Sequence, residues 1–218
     1  MNKLFVAVVA ATLGTASAGV LADDGNFFVN GDLGQANYRV RSSYDVSYIG
    51  GGGYSASIDK KDTAGALRFG YRWHSFVDYG VEIGYADLGE TETTGRFDGA
   101  ASAIHESLKV RGALLGGNLK YNINDSWYVS ARGGWFRSKN ETYTNDYVCS
   151  FITGAACPNP HNSSTGTGEY LGAGMGYNFN SHFSLGLSYD NYHSHVNRSN
   201  GRDSTNIALY AVSAEYRF

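Results

Sequence analysis

Hydrophobic residues recur at every second position through most of the chain, the period of a β-strand whose two faces meet different surroundings. The last stretch shows it most clearly, with Tyr210, Val212, Ala214, Tyr216 and Phe218 on one face and Ala211, Ser213, Glu215 and Arg217 on the other. A first strand runs from Phe27 to about Arg41 and sets Phe27, Val29, Gly31 and Leu33 against Phe28, Asn30, Asp32 and Gly34. The second carries Leu67, Phe69, Tyr71 and Trp73, the third Tyr79, Val81, Ile83 and Tyr85. In the fourth, two phases compete: Leu108, Val110 and Leu114 in one, Ala113, Leu115, Leu119, Tyr121 and Ile123 in the other. We take the second as outward, because it aligns with the turn at Asn124–Ser126. The fifth (Trp127, Val129, Ala131, Gly133, Trp135), sixth (Leu171, Ala173, Met175, Tyr177, Phe179) and seventh (Phe183, Leu185, Leu187, Tyr189) repeat the pattern, and the C-terminal stretch is the eighth.

The connections are sorted by length. Turns at 74–78, 124–126 and 180–182 are short, whereas those at about 42–62, 86–105, 140–166 and 196–204 are long, so every long loop lies at one end. A soluble sandwich has no reason to sort its loops this way; a transmembrane barrel does. The outward residues nearest the short-turn end are Phe27, Trp73, Tyr79, Ile123, Trp127, Phe179, Phe183 and Phe218, aromatic in all but one case. That is the signature of an interfacial girdle, where amphipathic rings sit at headgroup level. The predicted fold is an all-β, eight-stranded, antiparallel up-and-down transmembrane β-barrel.

Composition agrees. The chain has 29 Gly and 17 Tyr but only 2 Pro, and after its first residues no apolar run approaches the length of a membrane helix. Its mean hydropathy of -0.31 is compatible with a barrel, in which alternation dilutes hydrophobicity. Residues 1–22 read as a secretory signal, with Lys3, an apolar run from Leu4 to Leu13, and cleavage after Ala18 or Ala22; residues 23–218 are then one barrel domain. The net charge of -3 gives no support to a nucleic-acid partner.

The alternation that turns apolar residues outward turns charges inward. Asp32, Arg68, Arg72, Glu82, Lys120, Arg132, Asp190, Glu215 and Arg217 all fall in the inward phase. Charges in a low-dielectric interior need partners, so we expect a packed lumen network of ion pairs. The alternative is a narrow, gated ion path through it.

A chain that ends Tyr216-Arg217-Phe218, with apolar or aromatic residues alternating back to Tyr210, resembles the small eight-stranded outer-membrane barrels of the OmpA transmembrane-domain and OmpX/Ail-like family. The resemblance implies a bacterial outer-membrane location. It makes Tyr210, Val212, Ala214, Tyr216 and Phe218 a signal for the barrel-assembly machinery, and suggests a non-enzymatic role in envelope structure and cell-surface contact. Such contact would be adhesion or host-factor binding through the outer loops, with transport through a small pore as the alternative. Some small outer-membrane barrels modify lipid A, but the nearest motif here, His195 to Ser199, has the wrong spacing for a deacylase. His193 and His195 share a face, a half-site that no cysteine or carboxylate cluster completes, so we read rim histidines and no metal or cofactor. Cys149 and Cys157, even in number in an exported chain, are expected to form a disulfide in the third outer loop.

Continuing each outward phase upward from its aromatic anchor reaches Arg39, Arg41, Lys61, Lys109, Arg111, Arg137 and Lys139. A tilted strand of ten residues climbs about 25 Å, the height of the apolar band. These cations are therefore expected at the level of lipid A phosphates, as a collar for lipopolysaccharide.

Overall fold

The computed structural model describes residues 25–39, 54–97, 103–146, 161–198 and 201–218. The residues of the predicted signal, Arg41, Cys149 and Cys157 lie outside them. The strands are β1 (Gly25–Arg39), β2 (Tyr54–Asp59), β3 (Lys61–Trp73), β4 (Asp78–Phe97), β5 (Ala103–Asn122), β6 (Trp127–Asp146), β7 (His161–Asn178), β8 (Phe183–Arg198) and β9 (Gly201–Arg217). β2 and β3 are two lengths of one barrel strand interrupted at Lys60, both pairing with β4. Counted so, the sheet has eight strands, every neighbouring pair is antiparallel, and it closes on itself through β4–β5 and β1–β9. Closure is what lipid demands, because an open edge would leave backbone amides and carbonyls with no partner.

The register fixes the geometry. Following directly paired residues once around the barrel, from Trp73 through Tyr79, Leu119, Ala131, Ala173, Tyr189, Tyr210 and Gln35, returns to β3 at Thr63, ten residues above the start. A stagger of that size in eight strands corresponds to a tilt of about 40°. A second ring of outward aromatics, Tyr85, Trp135, Tyr189 and Tyr210, lies about 20 Å above the first, so apolar surface is bounded by rings at both interfaces.

Two of the three short turns are built alike. In Ile123–Trp127 the Asn124 side chain accepts the amides of Ser126 (3.0 Å) and Trp127 (2.7 Å); in Phe179–Phe183 Asn180 does the same for His182 (2.8 Å) and Phe183 (2.7 Å). An asparagine that bonds its own downstream backbone sets such a turn locally.

The long connections differ from expectation. Strand pairing runs to Phe97 in β4, resumes at Ala103, continues to Asp146 in β6, resumes at His161, and joins β8 to β9 at Arg198 and Gly201. The described residues of the expected loops at 86–105, 140–166 and 196–204 are therefore strand. Above the hydrocarbon both faces of a strand can be polar, so the period of two that marks the membrane part fades although the ladder continues.

The upper lumen is apolar. Tyr38, Leu88, Val110, Leu114, Phe136, Tyr170, Tyr192, Ile207 and Leu209 form one buried cluster with Ala36, Ala64, Ala66, Ala86 and Ala211. This explains the competing phases of the fourth predicted strand: Leu114 is 1% exposed inside the barrel, while Leu115 is 54% exposed toward lipid. At Gly89 (φ +76°) β4 gains one residue relative to β5, and the Tyr38 hydroxyl donates to the carbonyls of Leu88 (3.1 Å) and Gly89 (3.0 Å). A Cβ on Gly89 would come within 2.6 Å of the Asp62 carboxylate, so the bulge needs glycine for its space as well as its φ. Leu114→Ala, which opens a cavity in this cluster, should lower stability by about 2–5 kcal/mol in urea unfolding from lipid vesicles. Leu114→Met should cost less than about 1.5 kcal/mol.

Candidate functional site

Below the apolar plug, the lumen holds two clusters of charge, both on inward positions. The upper one joins β1, β3, β4, β6 and β8. Arg132 grips Asp190 with two parallel bonds, Nε to Oδ1 at 2.7 Å and Nη2 to Oδ2 at 2.6 Å, and its Nη2 also reaches Asp32 at 3.0 Å. Arg68 pairs with Asp32, stands 3.4 Å from Asp190 and 3.6 Å from Glu82, and donates to the Tyr192 hydroxyl at 2.8 Å. Glu82 in turn accepts from the Tyr170 hydroxyl at 2.7 Å. Tyr170 and Tyr192 thus face the charges with their oxygens and the apolar plug with their rings.

The lower cluster centres on Glu215 of β9. Arg72 forks onto both its oxygens at 3.0 Å, Lys120 reaches Oε1 at 2.9 Å, and Arg217 lies 3.4 Å from the same atom. Arg72 also lies over the Phe28 ring, 4.3 Å from its centre, and Lys120 over Tyr128 at 3.9 Å. Arg217 closes the floor by donating to the carbonyls of Asn180 and Ser181. All nine inward charges named from the sequence therefore belong to one of two networks, on seven of the eight barrel strands. The strand without one, β7, instead supplies Gly172, Gly174 and Gly176; a Cβ on Gly172 would meet Asp190 Oδ1 at 1.9 Å. A cavity of about 30 Å³, large enough for a water or two, lies between the clusters, and a vestibule of about 540 Å³ opens at the short-turn end.

The outer collar is more mixed than the sequence reading of cations alone. Lys109 stands 3.8 Å from Asp87; Arg111 and Lys139 both bind Glu141 Oε1, at 2.7 and 2.8 Å. Glu90, Lys109 and Glu141 are direct neighbours across β4, β5 and β6, as are Asp87, Arg111 and Lys139 in the next row. Hydrogen bonds from Lys139 and Arg111 hold the Glu141 carboxyl below its ordinary range. The sequence offered a signal for this: Asp87 and Glu141 share the outward phase of Tyr85 and Trp135. Among the described residues Arg39, Lys61 and Arg137 have no carboxylate partner. Tyr210, Val212, Ala214 and Tyr216, expected from the sequence to belong to an assembly signal, take the outward phase of β9, and the amide of Phe218, just beyond that strand, donates to Phe27 O at 3.0 Å.

Removing one member of a buried ion cluster strands the others. Asp190→Asn, which leaves Arg132 and Arg68 short of charge in a fully buried site, should cost about 3–5 kcal/mol in urea unfolding from vesicles. Glu141→Gln, at the collar where the partners Arg111 and Lys139 are partly exposed, should cost less.

The family model that describes an outer membrane protein β-barrel domain matches residues 6–218. No curated protein matches the chain. Among solved structures, Ail, the attachment invasion locus protein of Yersinia pestis, aligns with a TM-score of 0.51 at 17% identity, covering 89% of this chain and 99% of its own. OprG of Pseudomonas aeruginosa gives 0.47 at 15%, covering 89% and 96%. The protease OmpT of Escherichia coli gives 0.46 at 11%, covering 93% and 100%. With a closed eight-stranded barrel between two aromatic rings and a family model matching nearly its whole length, the chain belongs to the outer membrane protein β-barrel domain family and is a multi-pass β-barrel of the bacterial outer membrane.

Proposed function

We propose that this is a non-enzymatic barrel whose work is done on its outer surface: holding lipopolysaccharide at the collar and contacting an extracellular ligand through the long connections. The observation that carries the reading is the filled lumen. Its charges are engaged with one another, and an apolar plug overlies them, so binding chemistry falls to the outward face. Ail, the aligned structure with the highest TM-score of the three, is named as an attachment and invasion protein, which accords with surface contact for this chain too.

Within the collar, the cations without a carboxylate partner, Arg39, Lys61 and Arg137, are the leading candidates to bind lipid A phosphate; Lys109, Arg111 and Lys139 must share their charge with Asp87 and Glu141. Arg41 belongs to the same proposed set. Guanidinium groups bind phosphate through paired, charge-assisted bonds, which favours the arginines. Insertion would depend on the barrel-assembly machinery engaging the outward residues of β9.

The pore reading is favoured by the vestibule, and planar bilayers separate the two. A closed lumen gives no steady single-channel conductance, and Leu114→Ala with Leu209→Ala should not create one while the charge clusters stay intact. Replacing Arg39, Lys61 and Arg137 by Gln should lower heat resistance in lipopolysaccharide more than in neutral detergent, and more than replacing Lys109, Arg111 and Lys139. Equal losses in both media would remove the phosphate collar and leave cations that merely reach the headgroup layer.

A further inference from the structure

The collar is not the same all round. On β4–β6 it is charged, but on β8, β9 and β1 the rows below Arg39 are built of tyrosines and amides. There the outward rows are read directly from the pairing: Tyr189, Tyr210 and Gln35 side by side, then Asn191, Ala208 and Asn37 above them. Tyr189 and Tyr210 pack with ring centres 5.0 Å apart, tilted by 53°, and Tyr210 remains 54% exposed. Asn191 leans onto the Tyr189 hydroxyl at 3.4 Å. Ala208, although outward, is 1% exposed, covered by the larger side chains around it. Gln35 and Asn37 have no hydrogen-bond partner among the described residues.

We propose that this tyrosine-and-amide face binds a sugar ring of a membrane glycolipid. The patch starts in the upper aromatic ring, so its tyrosines stand at the top of the hydrocarbon and its amides one step above, at the height of a glycolipid's saccharide. Aromatic faces pack against the apolar C–H face of a pyranose, and carboxamides offer paired donor and acceptor groups to its hydroxyls. A phospholipid headgroup has no ring to stack and few hydroxyls to meet Gln35 and Asn37. The face carries no carboxylate, unlike the β4–β6 side, where Asp87 and Glu141 engage the cations. The inference deepens the lipopolysaccharide reading by separating sugar from phosphate recognition: the sugar on Tyr210, Gln35 and Asn37, the phosphate on the cations above and beside them, Arg39 on β1 and Lys61 paired with Asn37, and on Arg137 of β6.

The two halves fail separately in one experiment. The full chain is refolded in vesicles that contain lipid A, chemically dephosphorylated lipid A, or phosphatidylglycerol, and its melting temperature is read against a neutral phospholipid. The wild type should gain heat resistance from lipid A and keep a clear part of that gain in dephosphorylated lipid A. Gln35→Leu with Asn37→Leu should abolish the part that survives dephosphorylation while leaving the gain from phosphatidylglycerol unchanged. Tyr210→Leu, which keeps an apolar group toward lipid, should act in the same direction. Arg39→Gln with Arg137→Gln should do the reverse, losing only the phosphate-dependent part. No gain from dephosphorylated lipid A, or an equal gain in wild type and the Gln35/Asn37 variant, would overturn the sugar site; absence of any phosphate-dependent gain would instead overturn the charged collar. A variant with reduced melting temperature in neutral phospholipid as well is judged only by its increments over that baseline.

Discussion

Everything in this molecule depends on the requirement that no backbone hydrogen-bonding group face lipid without a partner. A sheet can meet it only by closing, and closing eight strands with a stagger of ten residues sets the tilt, the height and the diameter together. The diameter then dictates the rest. An eight-stranded lumen is about as wide as side chains are long, so it is filled by whatever the inward positions supply.

The filling is layered. Nearest the short turns, Glu215 gathers three cations; above it, Arg68 and Arg132 share two aspartates and Arg68 also approaches Glu82; above those, an apolar cluster of the kind found inside soluble proteins takes over. Tyr170 and Tyr192 join the layers, each with its ring in the plug and its hydroxyl on the charges. Fully buried ions are costly unless each has several partners, and the forked arginine contacts provide them. The plug also accounts for strands that stay paired beyond the membrane, since a sheet above the hydrocarbon needs an apolar interior to hold it as a soluble domain does.

The outward face carries a second kind of division. One arc of the collar alternates cations with carboxylates across β4, β5 and β6, and the opposite arc exposes tyrosines and amides on β8, β9 and β1. The charged arc is largely engaged with itself at Glu141, which makes the cations without a carboxylate the ones available to a lipid phosphate.

The sequence by itself determined the barrel, the strand phases, the three short turns at one end and the identity of the inward charges. Each is a consequence of a period of two seen by two different solvents, and that period is written residue by residue. It did not determine which charges meet, because Asp190 and Arg132 are 58 positions apart and Arg68 and Asp190 are 122 apart; only the stagger of the closed sheet brings them level. Nor could it place the apolar plug, since Leu114 and Leu115 are equally hydrophobic and differ only in which side of the wall they occupy. Strand lengths above the membrane were hidden for the same reason: with water outside, polarity ceases to report direction, and only pairing with a neighbour shows that the strand goes on. The pairing of Arg111 and Lys139 with Glu141 likewise follows from register, which tertiary closure sets and local sequence does not.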